Sequence, residues 1–395
     1  MKHLTLDPSK RIPLLREDAK GGLVQERKPP EPKSIKGRYG PASGSGAEDA
    51  SVFFIGTATT ILEWQGIRIL TDPNFLHAGD HVHLGPGVTA ERLTNPAVDL
   101  HDLPPLDVIL LSHYHADHFD QLVEKSLHRD FPIITTPHAK GCLTSSEYKT
   151  EDDGGPFRAI HALDAFASMM LDIPDGQGPN EGEETSEGNE NRGEKGEKKK
   201  RKTRIKITGM PGKHVPPGPL SIVNDLLGAV PPTNGWMLEL GYGPGEKGGE
   251  EEGEEEEGEE QESEDDTAKT GYRIYISGDT LFVDELKKIP EWLKQQRVDL
   301  MLLHLGGTTI PSPKMPLLMV TMDAEQGLRL MRLVDPDVTI PIHYDDYDMF
   351  LTPLDDFKKV IEEGKLEDKV VYLDRGEQFR FKVRGGLSAS PSSVL

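Results

Sequence analysis

Cysteine and long apolar segments are almost absent from this sequence, and each absence narrows the choice of protein class. Cys142 is the single cysteine among 395 residues, which excludes an intramolecular disulfide and suits a reducing compartment. No stretch of about eighteen apolar residues occurs, so we expect no membrane span. The N-terminal residues lack the apolar core of a secretory signal. These features predict a soluble, cytoplasmic protein.

The chain also lacks an excess of basic residues. Its formal net charge is −23, of which −13 falls on residues 246–266 and −10 on all the others. Proteins that bind nucleic acid present a strongly basic face to the phosphates. We therefore expect no nucleic-acid partner, and a nuclease is a disfavoured class of enzyme.

Low-complexity composition marks four segments that we do not expect to build a core. Residues 1–48 are rich in proline, lysine, glycine and serine, and they predict an extended, poorly ordered arm. Insertions near 174–203 and 244–270 are dominated by glycine and charged residues, which bury too little apolar surface to offset the entropy of ordering. Residues 385–395 predict a disordered tail. The folded domain is therefore expected over 49–384.

Within that domain, apolar runs separated by turn signals predict several strands and a smaller number of helices. Strands at 236–240 and 272–276 flank the acidic insertion and should remain neighbours in a hairpin. Asp323 can cap the helix that follows it, and a late strand is expected at 370–373. Residues 75–103 have no clear period and predict a long loop of the kind that contacts substrate. Strands followed by helices predict a layered α/β domain with sheets at its centre.

The most informative stretch is His113-Tyr114-His115-Ala116-Asp117-His118. It follows an apolar run at 108–111 that predicts a buried strand. Three imidazoles and a carboxylate in six residues cannot satisfy one another when buried, whereas a metal ion would take them as ligands. Imidazole nitrogen and carboxylate oxygen suit zinc, and also iron or manganese. A solvated histidine-rich loop is the alternative, which we disfavour because the stretch is anchored directly to a strand.

Three further strand ends carry residues of metal-ligand type, namely His214, Asp279 and His343. Each alone is weak evidence, because a strand-end histidine is more often a structural hydrogen-bonding residue. Ligands at strand ends nevertheless converge on one edge of a sheet. Together with the loop they make seven candidates: His113, His115, Asp117, His118, His214, Asp279 and His343. Seven is too many for one tetrahedral zinc and predicts two divalent ions, with Asp279 as the natural bridge.

This pattern, a His-x-His-x-Asp-His loop followed by His, Asp and His, resembles the metallo-β-lactamase superfamily. Residues 70–73, 103–107, 111–113, 277–280 and 341–344 resemble in particular the branch that contains N-acyl-phosphatidylethanolamine-hydrolysing phospholipase D and ascorbate-6-phosphate lactonase-like proteins. The resemblance implies a four-layer αββα sandwich with the metal site at one sheet edge. It also implies a ligand set in which one metal takes His113, His115 and His214, the other takes Asp117, His118 and His343, and Asp279 bridges them.

By this resemblance the protein would be a dinuclear zinc hydrolase in which a hydroxide between the two ions attacks an ester-type bond. The implied catalytic residues are Asp117, His118 and Asp279, and Asp117 is a candidate for accepting a proton from the attacking water. Asp72 either orients one of the imidazoles or simply caps the corner at the end of its own strand.

The substrate stays open at this point. Thr57 stands where that branch often has histidine, and Phe119 stands where leucine is common. The resemblance favours a phosphodiester, as for a phospholipase D, with a lactone or another carboxylic ester or thioester as the alternative. We expect a small-molecule or lipid-like substrate, because an apolar wall at 226–230 would admit an acyl chain. A non-catalytic metal-binding scaffold with acidic interaction loops is the other class of function, and the complete ligand set argues against it.

Overall fold

The structure is a computed structural model that describes residues 1–17, 27–38, 40–41, 48–85, 87–146, 154–174, 202–216, 230–243, 269–312 and 315–385. Over these residues the chain forms the strands β1 (Lys2–Thr5), β2 (Ile35–Gly37), β3 (Gly40–Pro41), β4 (Ala50–Gly56), β5 (Thr59–Trp64), β6 (Ile67–Thr71), β7 (His81–Gly85), β8 (Val88–Glu91), β9 (Val108–Leu110), β10 (Ile133–Thr135), β11 (Ile160–Ala162), β12 (Ser168–Ile173), β13 (Lys202–Pro211), β14 (Asn234–Gly243), β15 (Lys269–Ile276), β16 (Leu300–His304), β17 (Thr309–Ser312), β18 (Met315–Met319), β19 (Val338–Ile342) and β20 (Gln378–Phe381). The α-helices are α1 (Gln121–Ser126), α2 (Pro137–Thr144), α3 (Lys288–Leu293), α4 (Ala324–Val334) and α5 (Leu354–Gly364). In this part of the chain no helix combines the length and the apolar character needed to cross a membrane.

Most of the strands belong to two large sheets. One has seven strands in the order β1-β12-β13-β14-β15-β16-β19, and the other has nine in the order β11-β10-β9-β6-β5-β4-β20-β2-β3. The hairpins β7–β8 and β17–β18 stand apart from them. Strands β14 and β15 pair antiparallel on either side of the acidic insertion, which confirms the predicted hairpin.

Strand β4 shows why the nine-stranded sheet is covered on both faces. Its side chains alternate, as those of a strand must. Val52 and Phe54 point into the core between the two sheets, whereas Phe53 and Ile55 join a second apolar cluster that includes side chains of α1 and α2. All four residues are buried. A fully apolar strand of this kind is stable only between two layers, because each buried side chain gains about 1.5–3 kcal/mol that it would lose on an exposed face.

Strand β16 shows the same alternation in the seven-stranded sheet. Leu300 and Leu302 face the core between the sheets, whereas Met301 and Leu303 pack in a cluster with residues of α3, α4 and α5. The layers are therefore helices, sheet, sheet and helices. The predicted four-layer αββα sandwich is confirmed.

Helix α4 begins as its sequence predicts. The Asp323 carboxylate accepts a hydrogen bond from the main-chain N–H of Gln326 at 2.9 Å and so satisfies one of the free donors of the first turn. The helix ends at Val334, because the left-handed backbone of the next residue, Asp335, stops further winding.

The segment 1–48 is more ordered than predicted. Strand β1 pairs in parallel with β12 at the edge of the seven-stranded sheet, and β2 pairs in parallel with β20 in the other sheet. Leu6, Leu14 and Leu15 are buried in the apolar clusters. The prediction of a poorly ordered arm is wrong for these residues, because pairing with distant strands and burial of leucines outweigh the proline-rich composition. Residues 18–26, 39 and 42–47 lie outside the described residues.

Two local predictions are also wrong. The segment 75–103 contains the hairpin β7–β8, in which Val82 and Leu84 are buried while their neighbours His81 and His83 are exposed. That alternation lasts only a few residues, which is too short to stand out in the sequence. Residues 370–373 make a single bridge, from Val370 to Thr339, rather than a strand. The two predicted insertions and the predicted tail fall almost entirely outside the described residues.

Candidate metal centre

The strands that lead into the site end at one edge of the sandwich. Strands β15, β16 and β19 are parallel neighbours, and β13 runs in the same direction because β14 is antiparallel to both β13 and β15. Their carboxyl ends therefore lie together, and His214, Asp279 and His343 follow three of them. In the other sheet, β9 leads into the 113–118 loop. The main-chain N–H of Asn234 donates to Ser112 O at 3.1 Å, which ties the base of this loop to the seven-stranded sheet.

A first group of ligand atoms comes from Asp117, His118, Asp279 and His343, all buried and all within 4.8 Å of one another. His118 Nε2 lies 3.0 Å from Asp279 Oδ2, and His343 Nε2 lies 3.4 Å from the same oxygen. The two nitrogens are 3.2 Å apart. Asp117 Oδ2 is 3.8 Å from each of them. These nitrogen and oxygen atoms lie close together, and they carry too few hydrogens for each of them to take part in a hydrogen bond with another.

A second group comes from His113, His115 and Asp117, again within 4.8 Å. His214 adjoins it, because its ring centroid is 4.6 Å from that of His113. The structure thus brings all seven predicted ligands into one cluster. Asp117 is the residue common to both groups by this measure, although the resemblance gives the bridging place to Asp279.

Hydrogen bonds to main-chain carbonyls fix the tautomer of two of the imidazoles. Nδ1 of His214 donates to Val320 O at 3.1 Å, and Nδ1 of His343 donates to Leu305 O at 2.9 Å. Because a carbonyl only accepts, each Nδ1 carries a hydrogen, and in the neutral ring Nε2 is left with a lone pair. Nε2 of His214 and Nε2 of His113 are buried and have no hydrogen-bond partner among the described residues. Such atoms suit a metal ion.

The hairpin β7–β8 holds one ligand in the same way. His115 Nε2 donates to Leu84 O at 3.2 Å, so its Nδ1 faces Asp117 Oδ1 at 2.9 Å. A lone pair and a carboxylate oxygen repel at that distance unless a proton or a cation lies between them. Burial lowers the pKa of His115, but Asp117 outweighs burial and the pKa is raised. The segment 75–103, predicted to contact substrate, therefore contacts the cluster itself.

Burial and neighbouring charges shift the pKa values of different cluster members in opposite directions. Burial lowers the pKa of His118, but Asp279 and Asp117 outweigh it and hold this pKa well above its usual value. Burial raises the pKa of Asp279, but His118 and His343 outweigh it and hold this pKa well below its usual value. Burial dominates at His214 and lowers its pKa to about 4. Ionised carboxylates thus face imidazoles, some of which stay neutral.

The donor set fits a divalent cation. Buried imidazole nitrogens with free lone pairs and ionised carboxylates are the groups that bind zinc, and they are costly to bury without a partner. Each histidine whose tautomer is fixed turns its free nitrogen into the cluster. A cation would take the place of the protons that the carboxylates now draw onto His118 and its neighbours.

Asp72 contacts the ligand loop at two points. Its Oδ1 accepts a hydrogen bond from Ser112 N at 2.7 Å, which holds the end of β9 rather than the corner of its own strand. Its Oδ2 lies 3.5 Å from His118 Nδ1, on the side of the ring turned away from the cluster. A carboxylate in this place orients a ligating imidazole.

Sequence reasoning missed His304, the last residue of β16. It is 1% exposed, and its Nδ1 lies 2.9 Å from Asp279 Oδ1. It follows an apolar run, as His343 does, so the strand-end rule that selected the other ligands would also have selected it.

Sequence reasoning also missed Arg92, which is completely buried just after β8. Its Nε donates to Thr94 O at 2.8 Å, and its Nη1 donates to Thr57 Oγ1 at 2.7 Å and to Asn74 Oδ1 at 3.3 Å. Its Nη2 lies 3.5 Å from the buried carboxylate of Asp346. No local pattern marks such a residue, because its partners lie up to 254 positions away.

Arg92 connects two of the ligand-bearing segments. Asn74 Nδ2 donates to Asp117 O at 2.8 Å. The main-chain N–H of His343 donates to Thr57 O at 2.8 Å. The guanidinium of Arg92 therefore holds both Asn74 and Thr57. Through Asn74 it supports Asp117, and through Thr57 it supports His343.

An apolar cluster lies beside the ligands. The ring centroids of Phe350 and His343 are 4.4 Å apart. The other buried members come from the segment before the hairpin β7–β8, from the hairpin itself and from the turn after β19: Leu76, Val82, Leu84, Val88, Ala90, Tyr347 and Met349. Leu351, next to Phe350, is 40% exposed.

Part of the sequence matches a known family. A family model described as a beta-lactamase superfamily domain matches residues 67–177, a range that includes β6, the 113–118 loop and all of β12. A UPF0173 metal-dependent hydrolase of Archaeoglobus fulgidus is 31% identical over 111 residues, which cover 28% of this chain and 42% of that protein. The mitochondrial N-acyl-phosphatidylethanolamine-hydrolyzing phospholipase D of Saccharomyces cerevisiae is 34% identical over 95 residues, which cover 24% of this chain and 19% of that protein. The chain thus spans less than half the length of these relatives.

The whole fold has a counterpart among solved structures. The isothiocyanate hydrolase from Delia radicum gut bacteria superimposes with a TM-score of 0.54 and 18% identity, over 84% of this chain and 99% of that one. At this identity the likeness concerns the fold alone. It extends the similarity from the matched segment to both sheets.

Proposed function

Because the chain belongs to the metallo-β-lactamase superfamily, we propose that it is a metal-dependent hydrolase of an ester-type bond, with a phosphodiester as the first candidate. The observation that carries the proposal is the meeting of seven metal-ligand side chains from four separate segments at one strand edge. Two zinc ions are the cofactors that we propose for this donor set.

We assign the ligand roles as the resemblance to the superfamily implies them. His113, His115 and His214 would hold one ion, and Asp117, His118 and His343 would hold the other. Asp279 would contact both. When bound, the ions would act as Lewis acids toward the substrate and acidify a water molecule in the cleft.

The chain's own groups would then handle the proton. Asp117 is ionised, because His118 and His115 outweigh burial and hold its pKa well below its usual value. Its Oδ2 points between His118 and His343. We assign Asp117 to accept a proton from the attacking water, while His118 and Asp279 would serve as metal ligands.

The apolar cluster around Phe350 supports a substrate with an apolar substituent beside the reacting bond. The yeast relative is named for a phospholipid with an acyl chain, which is consistent with such a wall. A lactone, another carboxylic ester or a thioester is the second candidate, since the same cleft would accept a carbonyl group. We propose no nucleic-acid substrate, because the sequence carries no excess of basic residues.

Metal analysis and a substrate screen on the full chain test the proposal. Zinc-loaded protein should contain close to two ions per chain and should hydrolyse bis-p-nitrophenyl phosphate faster than an apolar lactone, a thioester or an isothiocyanate. Protein that retains no metal after loading would overturn the proposal. Protein that binds metal but hydrolyses none of the four compounds would support the scaffold class instead.

Two variants sharpen the screen. Asp279→Asn should lower kcat/KM by about 100-fold or more, since loss even of a residue that only orients a ligand costs about 10–100-fold. His138→Asn is the matched control, because His138 is exposed at the start of α2 and belongs to neither ligand group. It should keep both the metal content and the activity of the unmodified protein.

A further inference from the structure

His304 is held firmly at the end of β16. It pairs with Ile342, the last residue of β19, and its main-chain N–H donates to Ser277 Oγ at 2.9 Å. It therefore sits between the strand that precedes Asp279 and the strand that precedes His343. Its side chain is buried, so the ring has little freedom to turn away.

One hydrogen bond sets the tautomer of the ring. Nδ1 of His304 lies 2.9 Å from Asp279 Oδ1. An ionised carboxylate only accepts hydrogen bonds, so Nδ1 carries the hydrogen and donates it. Nε2 keeps a lone pair, and within the described ranges it has no hydrogen-bond partner.

Because of this hydrogen bond, the two carboxylate oxygens of Asp279 have different partners. Oδ1 accepts from His304, while Oδ2 faces His118 Nε2 at 3.0 Å and His343 Nε2 at 3.4 Å. The terminal torsion of an aspartate is broad, so an unrestrained carboxylate would rotate and exchange its oxygens. The hydrogen bond from His304 selects one orientation.

His304 is placed beside the ligand cluster rather than in it. Its ring is nearly parallel to that of His343, with centroids 5.6 Å apart, and to that of His118, with centroids 6.1 Å apart. Neither group of ligand atoms found among the described residues includes it. The ring therefore contacts the cluster through Asp279.

We propose that His304 is a positioning residue, which holds the carboxylate of Asp279 so that Oδ2 faces the metal ligands. The inference rests on the proposed function only in taking Asp279 as a ligand. A histidine that donates to a ligating carboxylate should matter for metal affinity about as much as other groups that orient ligands, which is about 10–100-fold.

Three substitutions separate this role from simple packing. His304→Asn places an amide N–H near the position of Nδ1 and can still donate to Asp279. His304→Gln places its amide near the position of Nε2 instead, and His304→Leu removes the donor while filling the space. His138→Asn again serves as the control at an exposed site.

The readout is zinc affinity, measured by competition with a chelator, together with the visible spectrum of the cobalt-substituted protein. His304→Asn should bind zinc within about threefold of the unmodified chain, whereas His304→Gln and His304→Leu should bind about 10–100-fold more weakly. Rescue by asparagine but not by glutamine would not arise from packing alone. Nitrogen NMR of the metal-free protein provides a second readout, in which the His304 ring should carry its hydrogen on Nδ1.

Each other outcome counts against the inference in a recognisable way. Equal affinities for the three variants, or an Nε2–H tautomer in the NMR spectrum, would overturn it. Loss of one metal equivalent in every variant, asparagine included, would make His304 a ligand instead. Failure of the proposed function would give a different result, because the unmodified protein would then hydrolyse none of the compounds. The order of zinc affinities among the His304 variants, or the tautomer of the His304 ring, would still decide the role of His304.

Discussion

Replacing Arg92 with methionine should destabilise the metal-free protein by about 3 kcal/mol. Methionine has a similar length and leaves little cavity, so the loss comes from polar groups. Thr94 O, Thr57 Oγ1 and Asn74 Oδ1 each lose a charged donor, and the buried carboxylate of Asp346 loses a neighbouring charge. Breaking one partner of a buried ion pair costs about 3–5 kcal/mol. We expect the lower end, because a second arginine also reaches that carboxylate.

That second arginine, Arg375, is the matched control. Its Nε donates to Asp346 Oδ1 at 3.0 Å, but its side chain is 24% exposed and water can replace part of the contact. Arg375→Met should therefore cost only about 1.5–2 kcal/mol, the lower part of the range for hydrogen bonds to a charged group. Unfolding by urea in the presence of a chelator measures both losses of unfolding free energy. The slope of unfolding free energy against urea concentration should be the same for both variants and the unmodified chain, which would show that all three expose the same surface on unfolding.

The same pair tests how the ligands are held. Arg92→Met frees Asn74 and Thr57, which contact Asp117 O and the main chain of His343, so zinc affinity should also fall. Arg375→Met leaves those contacts in place and should keep the affinity. If the two variants lose equal stability, or if zinc affinity is unchanged in Arg92→Met, the reasoning about this connection is refuted.

Two further substitutions test local features of the fold. Asp323→Ala removes the cap of α4 and should cost about 1 kcal/mol of unfolding free energy in the urea titration, whereas a loss below about 0.3 kcal/mol would show that the cap is dispensable. Gly278→Ala puts a Cβ 2.3 Å from Asn234 O at a backbone φ of +63°, so it should cost at least about 2 kcal/mol of unfolding free energy and weaken zinc binding by displacing Asp279. Gly141→Ala in α2 is the control, because a Cβ there meets nothing within 4 Å; it should be neutral or stabilise the protein by about 0.5–1 kcal/mol. Similar changes of unfolding free energy in the two glycine variants would contradict this prediction.

The members of the ligand cluster could be predicted because their signal is local. A loop with three histidines and an aspartate directly after an apolar strand is visible in six residues, and His214, Asp279 and His343 each follow a strand. Strand direction brings these three residues together, because the carboxyl ends of β13, β15 and β19 lie at one edge of the sheet. The cap at Asp323 was predictable for the same reason, because all its atoms lie within three residues.

The residues that escaped prediction act across long sequence separations. Arg92 finds its partners at positions from 57 to 346, and nothing near it distinguishes it from a solvent-exposed arginine. Strand β1 pairs with β12, some 167 positions along the chain, and its four residues are too few to show a period. His304 had a local signal but no apparent partner, because Asp279 was already taken as a bridging ligand.

The spacing between the two halves of the cluster is decided by the apolar core rather than by the ligands. The 113–118 loop follows a strand of the nine-stranded sheet, whereas Asp279 and His343 follow strands of the seven-stranded sheet. Leu110 of β9 and Ile276 of β15 both lie in the core between these sheets, close to the strand ends. Because protein interiors are densely packed, a change of volume there moves one sheet relative to the other. A motif can therefore identify which residues meet, whereas the distances at which they meet follow from side chains that have no metal chemistry of their own.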